Sequence, residues 1–310
     1  MGTRQPLDLF AFGTMVIFCI VMASQQVMLK AVAEDLAPVF QIALRSGIAA
    51  ALLIGLILLQ RRHRMPLAPE NRIPALLIGG LFTLEFLLLG EALNKTSAGH
   101  ATVFLYTSPI FAAIGLHLKI PSERMSRLQW LGILLAFAGI VLAFLGGDSS
   151  DTLSTAVLWG DFLALLAGAA WGLTTVVVRA TGLSVLPARQ TLLYQLAVAF
   201  VLLSLWSYMT EQTAINPTAE VWGSLAFHGI VVSFLCFLVW FWLLTKYKAS
   251  QLGILSFMTP VFGVLLGSWW LGERIEANFI VGSAMIIGGI LIVSSHGWLS
   301  KRREKAGKPA

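Results

Sequence analysis

Long apolar runs follow one another along almost the whole chain, separated by short breaks that contain charged residues, proline or glycine. A helix needs about 20 predominantly apolar residues to cross a bilayer. The pattern therefore predicts an all-α polytopic membrane protein with ten transmembrane helices. We expect these helices at residues 9–30, 37–59, 73–93, 98–119, 127–145, 156–179, 187–209, 221–245, 250–271 and 277–298.

Composition supports the same class of protein. Of the 310 residues, 57% are hydrophobic and 12% are charged, whereas a soluble domain has about 25% charged residues. A single soluble core could not absorb this much apolar surface, which excludes an ordinary cytosolic enzyme, a nucleic-acid-binding protein and a disordered chain. Cys19 and Cys236 lie in separate apolar runs without metal or redox spacing, so we interpret both as buried apolar residues and expect no metal and no cofactor.

Basic residues are distributed unevenly between alternate loops. One set of loops and tails holds most of the lysines and arginines, and the positive-inside rule places this set and both termini in the cytoplasm. The expected location is the inner membrane of a bacterium, with several passes. The cytoplasmic set comprises Arg4, Arg61, Arg62, Arg64, Arg72, Lys119, Arg124, Arg127, Arg179, Arg189, Lys246, Lys248, Lys301, Arg302, Arg303, Lys305 and Lys308.

The two halves of the chain resemble each other. Residues 98–111 align with residues 249–262, and short matches continue downstream of both segments. Each unit contains five predicted helices, and an odd number places the second unit in the membrane upside down, as in many secondary transporters. We expect a first repeat at 8–145, an inverted second repeat at 156–298 and a basic cytoplasmic tail at 299–310. The downstream matches pair Glu123 with Glu273, Arg124 with Arg274, Gly132 with Gly282 and Gly139 with Gly289.

These features resemble a known family. The two five-helix units, the Trp171-Gly172 pair, the Ser/Thr-Pro steps at 108–109 and 259–260 and the Glu-Arg loop after the first of them are similar to the drug/metabolite transporter superfamily in its ten-helix EamA form. Within that superfamily the chain looks most like the YddG-type exporters of aromatic amino acids. The first unit departs from the pattern, because Met22-Ala23 replaces the Trp-Gly pair. The resemblance implies alternating access to a central cavity lined by helices 1, 3, 4, 6, 8 and 9.

Ionisable residues at membrane depth are the first candidates for a functional role, because they are costly to bury there. Glu85 lies near the middle of the third predicted helix and could bind a substrate ammonium group or carry a coupling proton. Arg45, in the second helix, could pair with Glu91 or Glu85, or bind a substrate carboxylate; a purely structural ion pair is the alternative. His100 and Gln251 occupy equivalent repeat positions, which suggests that both line the cavity near its gates.

Aromatic residues at mid-depth are the second group of candidates. Tyr106 and Trp171 combine a ring with a polar group, which suits stacking against an aromatic substrate. Phe257 holds the repeat position of Tyr106, and Trp240 is expected near the inner mouth of the cavity. Simple packing is the alternative for each of these four residues.

Two prolines are expected to act as hinges. Pro109 and Pro260 lie within the fourth and ninth predicted helices at equivalent repeat positions. Each removes a backbone donor and tends to kink its helix, which frees the carbonyls of Leu105 and Ser256. A static kink, satisfied by a neighbouring serine or threonine, is the alternative interpretation.

The combined expectation is a secondary active or facilitative exporter, not an enzyme, that moves amino acids, aromatic ones such as phenylalanine, tyrosine and tryptophan included, by alternating access. An exporter of drugs or other small metabolites is the alternative, and a membrane-embedded enzyme or a channel is more remote. The sequence has no nucleotide-binding loop, so the expected energy source is the substrate gradient or proton exchange through Glu85 or His100. The expected partners are a small amino acid or hydrophobic metabolite and the lipid bilayer, with no nucleic acid; the oligomeric state stays open.

Overall fold

The described chain is helical. A computed structural model describes residues 4–59, 68–96, 98–145, 154–271 and 277–306. Extended pairing within these ranges is limited to two isolated backbone bridges, Gln5 with Tyr247 and Leu36 with Ile215. The predicted all-helical class is therefore confirmed for the described residues.

The helices follow the apolar runs, and most of their ends lie within two residues of the expected positions. The last helix continues eight residues beyond its expected end at 298 and includes most of the segment expected as a tail. The α-helices are α1 (Leu9–Ala31), α2 (Pro38–Leu59), α3 (Arg72–Leu93), α4 (Ala98–Leu105), α5 (Ser108–Lys119), α6 (Arg127–Leu145), α7 (Thr155–Ala180), α8 (Ala188–Met209), α9 (Ala219–Ala226), α10 (Phe237–Lys246), α11 (Ala249–Leu255), α12 (Met258–Leu271) and α13 (Ala277–Ala306).

The surface and the interior are those of a protein that lies in a bilayer. Large apolar side chains point outward, and Leu59, Leu118 and Trp269 are 86%, 72% and 80% exposed. Polar side chains such as Gln41 and Ser233 are fully buried instead. Seven helical segments in the described ranges are long and apolar enough to span a membrane: Pro38–Leu59, Pro69–Leu93, His100–Lys119, Arg127–Phe144, Thr155–Ala180, Ala188–Met209 and Ala219–Lys246. The chain is therefore described as a polytopic membrane protein.

Two of the predicted helices are broken rather than continuous, which corrects the expectation for residues 98–119 and 250–271. The first break separates α4 from α5 at Tyr106 and Thr107, and the second separates α11 from α12 at Ser256 and Phe257. A proline follows each break by two or three residues and cannot donate the backbone hydrogen bond that would continue the helix. Tighter turns replace that bond, with Thr107 N donating to the Phe104 carbonyl over 3.2 Å and Phe257 N donating to the Ile254 carbonyl over 3.1 Å.

A π-helical segment, Phe227–Cys236, joins α9 to α10. His228 is the second residue of this segment and is fully buried. Its Nε2 lies 3.1 Å from the carbonyl of Gln25 in α1, and its Nδ1 lies 2.7 Å from the carbonyl of Ser224. π-Helical turns are rare and occur frequently at functional sites. The apolar pattern predicts one regular helix here, so this local widening is not visible in the sequence.

Contacts between loops define two ends of the bundle. At the Arg179 end, formed by residues 4–7, 120–126, 179–187 and 246–251, Arg4 Nη2 donates to the Ser184 carbonyl over 2.9 Å. At the Asp161 end, formed by residues 32–36, 94–96, 98–100, 161 and 215–216, Asn216 Nδ2 donates to Asp35 Oδ1 over 2.7 Å. The long helices run between these two ends, and the centre of the bundle lies between them.

A buried carboxylate holds the Arg179 end together. Glu123 is 1% exposed and accepts a hydrogen bond of 2.7 Å from Arg179 Nη2 at the end of α7. It also accepts bonds from three groups in the first turn of α11: Ala249 N at 3.2 Å, Ser250 N at 3.3 Å and Ser250 Oγ at 2.9 Å. One side chain therefore joins the loop before α6, the end of α7 and the beginning of α11.

Glycines allow α6 and α13 to pack backbone against backbone. A Cβ atom built on Gly139 would lie 2.5 Å from the carbonyl oxygen of Gly282, and one built on Gly132 would lie 2.8 Å from that of Gly289. Real Cβ atoms do not approach other atoms so closely, and therefore only glycine fits here. Between the two contacts, the residue number increases from 132 to 139 in α6 and decreases from 289 to 282 in α13. The two helices are therefore antiparallel. We call this contact the glycine seam.

Candidate functional site

A cavity of about 110 Å³ lies at the centre of the bundle, between the two ends. Its walls come from α1, α3, α4, α7, α8, α10 and α12 and from the two helix breaks. The lining residues are mostly aromatic or polar, and the others are aliphatic residues or methionine. They are Phe18, Met22, Gln25, Phe82, Glu85, Phe86, Leu89, Leu105, Tyr106, Trp171, Thr174, Thr175, Val178, Gln195, Phe237, Trp240, Phe241, Leu244, Ser256 and Thr259.

Glu85 supplies the acidic group of the cavity. It lies in α3, lines the cavity and is 8% exposed. Within the described part of the chain, its carboxylate makes no ion pair shorter than 4.0 Å. Arg45 attracts it electrostatically from behind the cavity wall. A carboxylate that faces a cavity without a protein partner can accept hydrogen bonds from a ligand cation.

Arg45 lies behind the cavity wall and contacts residues that line the cavity. It is 1% exposed, and its Nη1 donates a hydrogen bond of 2.7 Å to Gln25 Oε1. Its guanidinium carbon lies 5.2 Å from the ring centre of Phe86 and 5.9 Å from that of Phe237. Cation–π contacts of this length stabilise a buried guanidinium. Arg45 therefore fixes the orientation of Gln25, whose side chain lines the cavity beside Glu85.

Two aromatic pairs form parts of the cavity wall. Tyr106 and Trp171 meet edge to face, with ring centres 5.6 Å apart and an interplanar angle of 80°. Phe18 and Trp240 are stacked, with centres 5.6 Å apart and an angle of 24°. Both geometries are favourable arrangements of ring quadrupoles. The cavity therefore offers flat apolar faces around its single acid.

The two helix breaks meet at the cavity. Tyr106 of the first break and Ser256 of the second break both line the cavity. Gly168 in α7 leaves room for the first break, because a Cβ on it would lie 2.8 Å from the carbonyl oxygens of both Phe104 and Leu105. The backbone of this break therefore lies directly against α7, close to Trp171.

Four of the residues predicted from sequence are brought together at the cavity, namely Glu85, Tyr106, Trp171 and Trp240. Pro109 and Pro260 lie in the first turns of α5 and α12, directly after the two breaks. The remaining predicted residues lie outside the cavity lining: His100, Gln251, Phe257, Arg45 and Glu91.

His100 and Gln251 lie at opposite ends of the bundle rather than in the cavity. His100 Nδ1 is 2.9 Å from Asp161 Oδ2, and Thr96 Oγ1 donates to Asp161 Oδ1 over 2.6 Å. Gln251 Oε1 accepts a hydrogen bond of 3.1 Å from Leu7 N at the Arg179 end. Both polar groups therefore tie helices together where the bundle closes.

Phe257 and Glu91 also have other surroundings than expected. Phe257 is fully buried in the second break, and its neighbours Ser256 and Thr259 face the cavity in its place. Glu91 lies 3.9 Å from Lys95, one helical turn away on the surface of α3, rather than beside Arg45. Lys95 follows Glu91 by four residues, whereas Arg45 lies in another helix. The local pair is therefore the more accessible one, which explains this pairing.

Gln25 and Gln195 are cavity residues that sequence reasoning missed. Both are nine-tenths buried, at 9% and 4% exposed, and Gln195 Oε1 has no hydrogen-bond partner in the described residues. A glutamine within an apolar run was the available signal, because an uncharged amide at membrane depth also needs a polar neighbour. As for metals, no group of three potential ligands occurs in the described ranges.

The described residues form a helical bundle with an apolar outer surface and a polar, aromatic cavity at its centre, which is the architecture expected of a membrane transport protein. The profile of the EamA-like transporter family matches residues 9–145 and 158–295. The chain therefore belongs to the EamA-like transporter family, part of the drug/metabolite transporter superfamily expected from the sequence.

Relatives support this assignment, and a solved structure has the same fold. The chain is 26% identical over 272 residues to the uncharacterized transporter YoaV of Bacillus subtilis, covering 86% of this chain and 90% of YoaV. It is 28% identical over 261 residues to an uncharacterized transporter of Archaeoglobus fulgidus, covering 83% and 89% of the two chains. A crystal structure matches the fold with a TM-score of 0.76 and 20% identity, covering 93% of this chain and 96% of the other. The names of these relatives specify a transporter and no substrate, so the resemblance to YddG-type exporters stays a prediction.

Proposed function

We propose that this protein is a secondary transporter that exports small amphipathic solutes, amino acids with aromatic side chains among them, through the central cavity. The observation that carries the proposal is the composition of the cavity wall. One carboxylate, Glu85, faces the cavity, and the ring pairs Tyr106–Trp171 and Phe18–Trp240 surround it. An aromatic amino acid carries the complementary groups, an ammonium and a flat ring.

The position of each group suggests how such a solute binds. The ammonium group donates to Glu85, because a charge-assisted hydrogen bond is among the strongest available in a buried site. The side-chain ring lies against Trp171 or Trp240, where stacking adds to the burial of apolar area. The amides of Gln25 and Gln195 offer donors to the carboxylate of the solute.

The size of the cavity favours a small solute. Its volume of about 110 Å³ is below the roughly 300–1,000 Å³ of pockets that hold drug-sized ligands. A solute of amino-acid size needs only a modest widening of this cavity. A bulky drug would need a much larger rearrangement of the bundle.

We propose that ten helices cross the membrane as two inverted five-helix repeats, residues 8–145 and 156–298, with both termini in the cytoplasm. The glycine seam supports the repeats: Gly132 and Gly139 align with Gly282 and Gly289, and the seam pairs Gly132 with Gly289 and Gly139 with Gly282. A two-fold axis between the repeats exchanges these two contacts, as an isologous interface requires. The excess of lysine and arginine at the Arg179 end supports its cytoplasmic position.

We propose that the helix breaks are the hinges of alternating access. Both breaks lie at equivalent repeat positions, just before Pro109 and Pro260, and both border the cavity. A break in the hydrogen-bond ladder allows α4 and α11 to tilt relative to α5 and α12. The energy comes from the substrate gradient or from a proton exchanged at Glu85.

Uptake of radiolabelled phenylalanine into proteoliposomes tests this function. We expect saturable uptake that unlabelled tyrosine and tryptophan inhibit. The variant Glu85→Gln keeps the shape of the side chain but removes the acid, and we expect it to lower uptake at least about tenfold, the loss of one charge-assisted hydrogen bond, and to flatten the pH response. Glu91→Gln is the matched control, because Glu91 lies on the exposed side of the same helix. Equal uptake by the wild type and Glu85→Gln would remove Glu85 from the mechanism.

An exporter of organic cations is a second candidate, because one carboxylate among aromatic faces also suits a cationic drug. The same proteoliposomes discriminate between the two candidates. Uptake of a cationic dye that phenylalanine does not inhibit, together with no uptake of phenylalanine itself, would favour the drug exporter.

A further inference from the structure

A second, larger cavity opens at the Arg179 end of the bundle. Its volume is about 790 Å³. Arg4 before α1, Arg179 at the end of α7 and Arg189 in the first turn of α8 line it, and we call it the arginine vestibule. Apolar side chains of α2 and α10 form the facing wall: Leu56, Leu238, Val239 and Trp242.

The arginine vestibule has an excess of positive charge. Glu123 binds Arg179 through a hydrogen bond of 2.7 Å, whereas Arg4 donates to a neutral group, the Ser184 carbonyl. The Nε atoms of Arg4 and Arg179 have no hydrogen-bond partner within the described residues. Burial, and next the nearby charge of Arg179, lower the pKa of Arg4, while Glu123 raises it. Arginine stays charged at neutral pH, so the vestibule attracts an anionic group.

A narrow passage lies between the arginine vestibule and the central cavity. Its volume is about 10 Å³, roughly the room needed for one water molecule. Arg179 and Thr245 belong to the walls of both the passage and the vestibule, whereas Val178, Phe241 and Leu244 belong to the walls of both the passage and the central cavity. The three spaces therefore follow one another from the Arg179 end to the middle of the bundle. Separation of α10 from α7 would widen the passage.

We propose that the arginine vestibule is an entry site for the carboxylate of the solute, which binds there before it passes between α7 and α10 into the central cavity. This inference rests on the proposed transport function. The vestibule offers guanidinium groups to the carboxylate and Trp242 to the side chain, so it fits a solute that has both an anionic group and an apolar part. Glu85 then binds the ammonium group further along the route, so the two sites recognise the two opposite charges of one zwitterion.

Transport of two related solutes tests the proposal. Phenylalanine and phenylalaninamide share the ring and the ammonium group, but only phenylalanine has a carboxylate. In inside-out membrane vesicles, which expose the Arg179 end in the proposed topology, we expect the double variant Arg4→Gln/Arg189→Gln to raise the KM for phenylalanine about tenfold, as expected for lost charge-assisted hydrogen bonds. The maximal rate and the KM for phenylalaninamide should stay within about twofold of the wild type, because the central cavity is unchanged. Arg124→Gln is the matched control, since Arg124 is an exposed arginine that lies outside the vestibule lining.

The results separate failure of the inference from failure of the proposed function. If the wild type transports both solutes and the double variant changes neither KM, or changes both equally, the vestibule proposal is overturned while the transport function stands. If the wild type transports neither solute, the transport function fails. Binding of radiolabelled phenylacetate to the purified protein then tests the vestibule directly: binding lost in the double variant supports a carboxylate site, and equal binding overturns it.

An anionic lipid headgroup presents the same chemistry as a solute carboxylate, and one further measurement distinguishes the two. Thermal stability of the purified wild type and double variant is compared in phosphatidylglycerol and in phosphatidylcholine. Stabilisation of the wild type by phosphatidylglycerol that disappears in the double variant, with an unchanged KM for phenylalanine, would assign the vestibule to lipid and overturn the proposal. Equal stability of both proteins in both lipids, with a raised KM, supports the solute site.

Discussion

Glu123 offers the clearest quantitative test of how this bundle is held together. The variant Glu123→Gln conserves the size of the side chain but replaces the carboxylate with an amide. The carboxylate accepts four hydrogen bonds, one from Arg179 and three from the first turn of α11. An amide has one acceptor oxygen, and its nitrogen can only donate. Groups that now face this nitrogen lose their acceptor.

The expected loss of stability follows from what remains buried. Arg179 is 5% exposed, and without Glu123 its charge has no counterion in the same contact. Removing one partner of a buried ion pair costs about 3–5 kcal/mol. With a change in Tm of about 2 °C per kcal/mol for a chain of this size, Glu123→Gln should lower Tm by about 6–10 °C.

Thermal unfolding in one detergent, followed for four purified proteins and a control variant, measures this effect. The set is the wild type, Glu123→Gln, Arg179→Gln and the double variant, and Glu70→Gln serves as the control because Glu70 is an exposed acid. The double variant removes both charges together, so its loss should be at least about 2 kcal/mol smaller than the sum of the single losses. Additive losses, or a Tm for Glu123→Gln equal to that of the control, would refute the reasoning.

Two further predictions concern the backbone. Gly289→Ala should destabilise the protein by about 1–3 kcal/mol, because its Cβ would clash with Gly132 across the glycine seam. The control Gly288→Ala should leave Tm unchanged, because its Cβ meets only Leu135 at 3.7 Å. Equal Tm values for the two variants would contradict the close contact at the seam. Pro260→Ala restores a backbone donor after the second break, so we expect the maximal rate of transport to fall more than the affinity for the substrate. Pro217→Ala, in an exposed loop, is the control. An unchanged maximal rate would leave this break with a structural role only.

The helices of this fold can be predicted from the sequence because the bilayer imposes a strong pattern. A run of about 20 apolar residues has to be helical in lipid, where every backbone group needs an internal partner. The position of each break is also accessible, since Pro109 and Pro260 mark it within three residues. The extent of each break is not accessible, because it depends on neighbours such as Gly168 that leave room for the displaced backbone.

The candidate site is only partly accessible from the sequence. Glu85 is conspicuous because an acid at membrane depth is expensive, and Trp171 is conspicuous because a resemblance marks it. Gln25 carries only the weaker signal of an uncharged amide within an apolar run, since its role depends on Arg45 and His228, which come from two other segments of the chain. Repeat equivalence also fails at Phe257: the two breaks align in sequence, but Tyr106 faces the cavity and Phe257 is buried.

The glycine seam has a consequence for the ancestry of the chain. Each half contributes two glycines to the seam, and each contact pairs the first glycine of one half with the second glycine of the other half. A single half therefore contains both glycines that such a contact requires. A gene of half this length would encode a five-helix protein able to form a homodimer, provided that its copies inserted in opposite directions. Duplication and fusion of that gene would fix the two directions in one polypeptide, after which each half could diverge; in the proposed repeat, Trp171-Gly172 and Met22-Ala23 would be one such difference.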